Sequence, residues 1–138
     1  MDIFSAAKNG ESVFIASYVK GGGDVNARDV NGMTPLLLAV DNRRAEVVRL
    51  LVNLKANLNL KDKWGQTALM LAAGRNDREA ARILIAARAD LTVKAVNGLT
   101  ALGYALDNGH REIAALLKNA GARQRPEPFP ARRCGQTS

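Results

Sequence analysis

A 33-residue period constrains this chain more than any other feature of its sequence. The segment 29–61 returns in edited form as 62–94, and the pattern then begins a third time. Gly32, Gly65 and Gly98 mark the same position in successive copies. One unit of this size is too small to bury its apolar stripe alone, whereas stacked units bury it against one another. The chain is therefore predicted to be a stacked repeat array.

The opening of each copy predicts a turn followed by a short helix. Gly32 and Gly65 supply the positive φ that tight turns require. Thr34 and Thr67 are N-cap candidates for the helix that follows, and Pro35 suits the first helical turn, where its missing N–H is harmless. The helix consists largely of leucine and alanine, and the small alanines let neighbouring helices approach closely.

A second helix is predicted in each internal copy, over 45–53 and 78–86. Its buried face is expected to consist of Val47, Leu50, Leu51, Ala80, Ile83 and Leu84. Both outer faces carry a glutamate followed three residues later by an arginine, Glu46 with Arg49 and Glu79 with Arg82. Because this spacing places opposite charges side by side on one helix, we expect these pairs to form within each helix.

The two ends of the array have their own patterns. Residues 1–28 form a degraded copy, in which Asp2 is an N-cap candidate, Gly10 fits a left-handed helix end, and a second helix covers about 12–20. Its opening turn is missing, as expected of an N-terminal cap with no unit before it. A closing copy spans 95–122, and its polar last helix favours a monomer over end-to-end growth.

The repeat pattern stops after Ala122. The segment 123–138 places prolines on both sides of Phe129, and it is predicted to be a flexible, extended tail. The net charge of +7 is partly local, since four arginines and one glutamate fall in this tail. The remaining positive charge is spread through the repeats rather than gathered in one run.

The composition is that of an ordinary soluble domain, with 47% apolar and 24% charged residues. No uncharged apolar run is long enough to span a membrane, and the N-terminus lacks the pattern of a secretory signal. The single cysteine, Cys134, cannot form an internal disulfide. We therefore expect an intracellular, cytoplasmic protein.

Residue types that support catalysis or metal binding are scarce. His110 is the only histidine and falls on a predicted inter-helix turn, where we expect an exposed residue with no second ligand to share a metal. Cys134 has no histidine partner to activate it. The three glycines at 21–23 are not followed by the residues of a phosphate-binding loop. The sequence predicts no catalytic site, no metal site and no cofactor.

The internal copies resemble the ankyrin repeat in both residue types and period. The resemblance rests on Gly32-Met33-Thr34-Pro35-Leu36, on the Val47 to Leu51 helix and on Ala56-Asn57-Leu58-Asn59, and it covers about residues 1–122. It implies an all-α repeat solenoid of about four helix pairs, with β-hairpin or loop tips and a concave face. It also implies a non-enzymatic module that binds another protein.

Departures from the family pattern predict modest stability. The histidine usual after the Thr-Pro-Leu run is replaced by Leu37, Met70 and Gly103. The glycine usual after the second helix is Lys55 and Arg88 in the internal copies, and Arg43 replaces a glycine after the first helix. If the backbone stays left-handed there, each of these residues costs roughly 1 kcal/mol.

Positions that differ between copies carry the functional signal. In the ankyrin family the tips and first helices line the groove where partners dock. The resemblance therefore implies these partner-binding residues: Met33, Leu38, Asp41, Lys63, Trp64, Gln66, Arg75, Leu99, Tyr104 and Asp107. Trp64 is the only tryptophan, and we expect it either to anchor a partner or to pack over the neighbouring tip.

The positive charge gives an alternative function. A binder of nucleic acid or another anionic surface would use the tail and the basic residues Lys61, Lys63, Arg75 and Lys94. No aromatic ladder interleaves with these charges, so nucleic acid is the weaker hypothesis. A further alternative is that the tail is a linear motif read by a partner's own groove.

Overall fold

The computed structural model describes residues 2–121, which form eight helices in four consecutive pairs. The pairs are α1 (Ile3–Asn9) with α2 (Ser12–Lys20), α3 (Pro35–Asp41) with α4 (Ala45–Asn53), α5 (Ala68–Arg75) with α6 (Arg78–Ala86), and α7 (Ala101–Asp107) with α8 (Arg111–Asn119). The predicted all-α repeat solenoid is confirmed, and the second helices of both internal copies begin and end where they were predicted. The predicted tail, 123–138, lies outside the described residues.

The helices form two layers. α1 packs on α3, α3 on α5 and α5 on α7, while α2, α4, α6 and α8 pack in the same order. We call these the first-helix layer and the second-helix layer. Each helix also packs on the other helix of its own pair. Since each unit is covered by its neighbours, the core is one continuous strip of leucine, valine, isoleucine and alanine running through the array.

Side-chain caps begin the helices of the first-helix layer. The hydroxyls of Thr34, Thr67 and Thr100 each accept a hydrogen bond from the backbone N–H three residues on, at 3.2, 3.4 and 3.2 Å. Asp2 does the same for α1 by accepting from Ser5 N–H at 2.8 Å. This bond holds the pKa of the Asp2 carboxyl below its ordinary value. The predicted N-caps are confirmed, and they satisfy donors that would otherwise lack a partner at these helix starts.

A left-handed residue follows the helices at matching positions of every unit. Glycine occupies these positions in the first and last units, at Gly10, Gly22, Gly109 and Gly121. The internal units use other residues, namely Arg43, Lys55, Asn76 and Arg88, with φ of 59°, 66°, 57° and 68°. The expected departures from glycine are thus accommodated without a change of backbone conformation.

Ion pairs on the second-helix layer join neighbouring units. Arg49 pairs with Glu79. Arg82 pairs with Glu112 at 2.5 Å. The predicted pairs within each helix are therefore wrong, because the side-by-side packing of α4, α6 and α8 brings each arginine to a glutamate of the next helix. Glu46 makes no ion pair with any residue between 2 and 121.

Two burial predictions also need correction. Leu50 and Ile83 are half-buried rather than buried, since they lie at the edge of the contact between second helices. His110 is not an exposed turn residue: it is half-buried, and its Nδ1 donates to the backbone carbonyl of Ala73 at 2.7 Å. The histidine therefore ties the start of α8 to the preceding unit.

Candidate partner-binding surface

The internal tips are turns held by an aspartate at their start. Asp62 Oδ1 accepts hydrogen bonds from the N–H groups of Trp64 and Gln66, both at 2.9 Å. Asp29 makes the equivalent pair of bonds in the preceding unit. This is an Asx-type turn, in which a carboxylate takes the place of a backbone acceptor. Because the aspartate and the backbone hold each turn, the other tip side chains are free to face solvent or a partner.

Backbone hydrogen bonds fix each tip against the next. Lys63 N–H donates to the carbonyl of Asn31 at 3.1 Å, and Val96 N–H donates to the carbonyl of Trp64 at 3.3 Å. A Cβ added at Gly65 would lie 3.0 Å from Val96 N, so this approach needs glycine. The tips are turns rather than β-hairpins, since no strand forms in the part of the chain that the structure describes.

A cleft of about 420 Å³ lies between the first two tips and the adjoining ends of α1 and α3. We call it the tip cleft, and it is lined by Lys8, Asp29, Asn31, Met33, Leu38, Asp41, Asn42 and Trp64. Four of the predicted site residues therefore share one cavity. Trp64 is 53% exposed at its edge. The indole contributes to the wall of the cleft and still presents half of its surface to solvent.

Charges of both signs surround the tip cleft. Arg75 reaches across from α5 to Asp41, with 2.6 Å between Nη2 and Oδ1. The Lys63 ammonium lies 4.7 Å from the centroid of the Trp64 ring, which is a cation–π contact. Exposed pairs of this kind contribute at most about 1 kcal/mol to folding. Their main effect is to hold an apolar ring beside oriented charges, which is the composition of an interface anchor.

A second cluster lies one unit further along the array. The Tyr104 hydroxyl accepts hydrogen bonds from Gln66 Nε2 at 3.2 Å and from Asn97 Nδ2 at 3.1 Å. Asn97 Oδ1 also accepts from Leu99 N–H at 3.1 Å. The third tip thus uses the side chain of Asn97, because Ala95 stands where the other two tips have aspartate.

The remaining predicted residues occupy different environments. Leu38 was predicted to be a partner-binding residue, but it is 4% exposed and belongs to the core, because α3 is covered on both sides by α1 and α5. Leu99 is half-buried at the third tip. Asp107 is exposed at the end of α7 and does not line the tip cleft. Of the predicted residues, Met33, Leu38, Asp41 and Trp64 line the tip cleft, and Gln66, Leu99 and Tyr104 belong to or adjoin the Tyr104 cluster.

Sequence reasoning missed Lys8 as a cleft residue. Lys8 belongs to the N-terminal cap, which was interpreted as a structural element alone. It lies 33 residues before Asp41 and so occupies the same repeat position. Subtracting the period from Asp41 would have identified it. Asn42 was missed as well, and its Nδ2 donates to the carbonyl of Leu38 at 2.8 Å.

Two other hollows follow from the repeat geometry itself. One of about 340 Å³ is lined by Val52, Lys55, Ala56, Leu58 and Ala87. The other, of about 450 Å³, is lined by Ile85, Ala86, Arg88, Ala89, Leu91 and Ala120, five of which lie 33 residues after the residues of the first. A hollow that recurs with the period is a by-product of stacking. No group of metal-ligating side chains occurs among residues 2–121.

Comparison with protein-family models decides the identity of the repeat. The model for ankyrin repeats in three copies matches residues 3–95 and, in an overlapping second match, residues 54–127. The chain is an ankyrin repeat protein. A search of curated proteins found no match. Ankyrin repeats are in general protein–protein interaction modules. In the described range of this ankyrin repeat protein, no helix has the length and apolar character needed to cross a membrane.

Proposed function

We propose that this ankyrin repeat protein is a non-enzymatic scaffold, regulator or inhibitor that binds a partner protein through the concave face formed by its tips and first helices. The observation that carries the proposal is the position of Trp64. Its ring is 53% exposed on a turn that Asp62 and the backbone already hold in place. An exposed tryptophan with no evident task in folding is typical of an interface anchor.

The tip cleft supplies the groups that such an interface needs. Met33 and the Trp64 ring offer apolar surface, and Lys63 lies against the ring. The Asp41–Arg75 pair, at 2.6 Å, offers one acceptor and one donor group for orienting a polar partner segment. A partner side chain that fits the cleft therefore has an apolar tip, and polar groups next to it contact Asp41 and Arg75.

The Tyr104 cluster extends the surface along the array. The Tyr104 hydroxyl accepts two hydrogen bonds and keeps its own O–H available to donate. Gln66 connects this cluster to the second tip, and Leu99 and Asp107 lie beyond it. A partner that covers both regions would span three tips.

The test is the Trp64→Ala variant of the full chain. We expect at least a tenfold loss of partner affinity, because truncating an anchor tryptophan typically costs about 2 kcal/mol or more. The melting temperature and helical signal should change little, since the tip backbone does not depend on the ring. The measurement is quantitative affinity capture from native-host lysate with nuclease present, followed by titration of the captured protein.

The matched control is Val30→Ala, which removes an apolar side chain that is 99% exposed on the first tip and does not line the tip cleft. It should leave capture unchanged. A large fall in melting temperature in Trp64→Ala would make the ring a packing residue instead. Capture that survives Trp64→Ala but is lost with nuclease or at raised salt would favour the anionic-surface alternative, which rests on the net charge of +7.

A further inference from the structure

Two ion pairs of the second-helix layer share one spacing. In each, an arginine pairs with a glutamate 30 residues later, on the next second helix. Arg49 meets Glu79 in this way, and Arg82 meets Glu112. Arg78 also lies 3.5 Å from Glu112. The stacking of equivalent helices thus places a glutamate where it receives an arginine from the unit before it.

The first member of this series is incomplete. Glu46 occupies the position of Glu79 and Glu112, in the first turn of α4. The residue 30 positions before it is Ala16, whose methyl group is too short to reach a carboxylate. Glu46 is exposed and finds no cation elsewhere in residues 2–121. The second unit therefore presents an acceptor for an arginine that the N-terminal cap, with Ala16 at that position, does not provide.

The space left by the missing arginine is an open groove. It has a volume of about 370 Å³ and lies between α2 and α4, with Val13, Ala16 and Leu50 as its apolar part. Its polar lining is Ser12, Glu46, Asn53 and Arg49, and Arg49 is already paired with Glu79. We call it the α2–α4 notch. Val13 stands where the internal units have Glu46 and Glu79, and it is 82% exposed. In the cap, both charged positions of the repeat are thus replaced by small apolar residues.

This combination specifies the chemistry of an occupant. Glu46 calls for a guanidinium or ammonium group, and arginine suits it better because it pairs with carboxylates in a planar, two-pronged geometry. The exposed side chain of Val13 and the half-buried side chain of Leu50 call for a large apolar side chain close to that charge. The notch therefore fits a short segment in which an aromatic or aliphatic residue precedes one or two arginines.

We propose that the occupant is residues 129–133 of this same chain, with Phe129 against Val13 and Leu50, and Arg132 or Arg133 at Glu46. These residues lie beyond the described part of the chain. They supply the required chemistry in the required order, Phe129-Pro130-Ala131-Arg132-Arg133. The proposal concerns the second-helix layer and is independent of the function proposed for the tip cleft.

The connecting chain is long enough to make this contact. Seven residues lie between Gly121 and Phe129, and the eight steps from one to the other span at most about 3.3–3.6 Å each, or about 26–29 Å. The notch lies between α4, which is two helix spacings from α8, and α2, which is three. At about 8–10 Å per spacing, these distances are about 16–20 Å and about 24–30 Å. The last described residue follows the C-terminal end of α8. From that end a segment passes Leu50 before it reaches Glu46, which matches the order of Phe129 and the two arginines.

The single cysteine provides a direct test in the full chain. Cys134 lies next to Arg133, so a nitroxide label can be attached there without changing any other residue. In the ¹⁵N-labelled protein we expect the amide signals of α2 and of residues 46–50 to lose most of their intensity through paramagnetic broadening. The amides of the three tips should keep theirs.

Two arginine substitutions distinguish the notch from general charge attraction. Ala16→Arg places an arginine at the repeat position of Arg49 and Arg82. The new arginine should pair with Glu46, displace the segment and restore the amide signals of α2 and α4. Ala115→Arg is the matched control, since Ala115 is exposed at the same repeat position on α8 and the change adds the same charge away from the notch. It should leave the broadening unchanged.

Several results would overturn the proposal. Broadening confined to α7 and α8, or centred on the tip cleft, would place the segment elsewhere. Broadening that persists in Ala16→Arg would show that Glu46 and the notch do not hold it. The segment could also dock onto a second copy of the chain. A mixture of nitroxide-labelled, unenriched chain with ¹⁵N-enriched Cys134→Ser chain tests this case. Broadening of α2 in that mixture would assign the notch to a second copy and contradict docking within one chain.

Discussion

The two internal units and the two outer units build the same backbone from different residues. The turns after the helices are left-handed in all four units, but the outer units have glycine there and the internal units have Arg43, Lys55, Asn76 and Arg88. Apart from glycine and asparagine, residues seldom adopt this conformation, because Cβ meets the following carbonyl oxygen. Among residues 2–121, the internal units have neighbours on both sides, and the outer units have one. We infer that packing against two neighbouring units holds these turns in the left-handed conformation. The outer units reach the same conformation with glycine.

Long side chains at the internal turns also contribute bonds between units. Arg43 Nη2 donates to the carbonyl of Arg75 at 2.5 Å, at the end of α5. Arg44 Nε donates to the carbonyl of Lys8 at 2.8 Å, near the end of α1. Helix ends leave carbonyls without a partner, and these arginines satisfy two of them. The strain at Arg43 is therefore partly offset by a contact that glycine would not make.

The largest difference between internal and outer units is expected for alanine at the tip glycines. Gly65 has a φ of +78° and its added Cβ would lie 3.0 Å from Val96 N, whereas Gly98, with a φ of +84°, would meet nothing within 4 Å. Gly98→Ala should cost about 1–2 kcal/mol from the left-handed conformation alone. Gly65→Ala should cost more, because the third tip must also shift. Urea unfolding of the two variants measures the difference, and equal losses would mean that the tips are not held against each other.

A smaller effect of opposite sign is expected where glycine is introduced. Lys55→Gly removes the strain of a left-handed lysine but increases the entropy of the unfolded chain, so the net gain should be about 0.5–1 kcal/mol. Gly22→Lys makes the reverse change at the same repeat position in the outer unit and should lose about as much. Thermal or urea unfolding checks both. A loss in Lys55→Gly would show that the lysine side chain contributes more than its backbone costs.

The smallest effect is expected for the ion pairs between units. A double-mutant cycle of Arg49→Ala and Glu79→Ala should give a coupling of about 0.2–1 kcal/mol, because both side chains are more than half exposed. The coupling should decrease as salt is added. The control cycle pairs Arg49→Ala with Glu46→Ala, the neighbour on its own helix, and should show almost no coupling. A larger coupling in the control cycle than in the Arg49–Glu79 cycle would mean that the ion pair forms within the helix.

Local chemistry made much of the fold predictable. The threonine caps and the ends of the second helices depend on residues close together in the chain, and the period repeats each signal. The wrong predictions share another property. The ion pairs, the burial of Leu38 and the contact of His110 with Ala73 all depend on how neighbouring units are placed against each other. One unit's sequence does not contain that information.

The sequence indicated where the proposed partner-binding residues lie in each unit but not which of them share a cavity. The family resemblance indicated tips and first helices, and Met33, Asp41 and Trp64 do line one cleft. The separation of the Tyr104 cluster follows from the distance between units, which the period alone does not reveal. Lys8 was recoverable, because its repeat position is that of Asp41.

The aspartate-held tips have a consequence for how this protein changes over generations. In the first two tips, Asp29 and Asp62 hold the turn, so neighbouring side chains can be replaced one at a time while the turn persists. In the third tip, Asn97 both closes the turn and binds Tyr104. A replacement of Asn97 therefore changes the turn and the Tyr104 contact together.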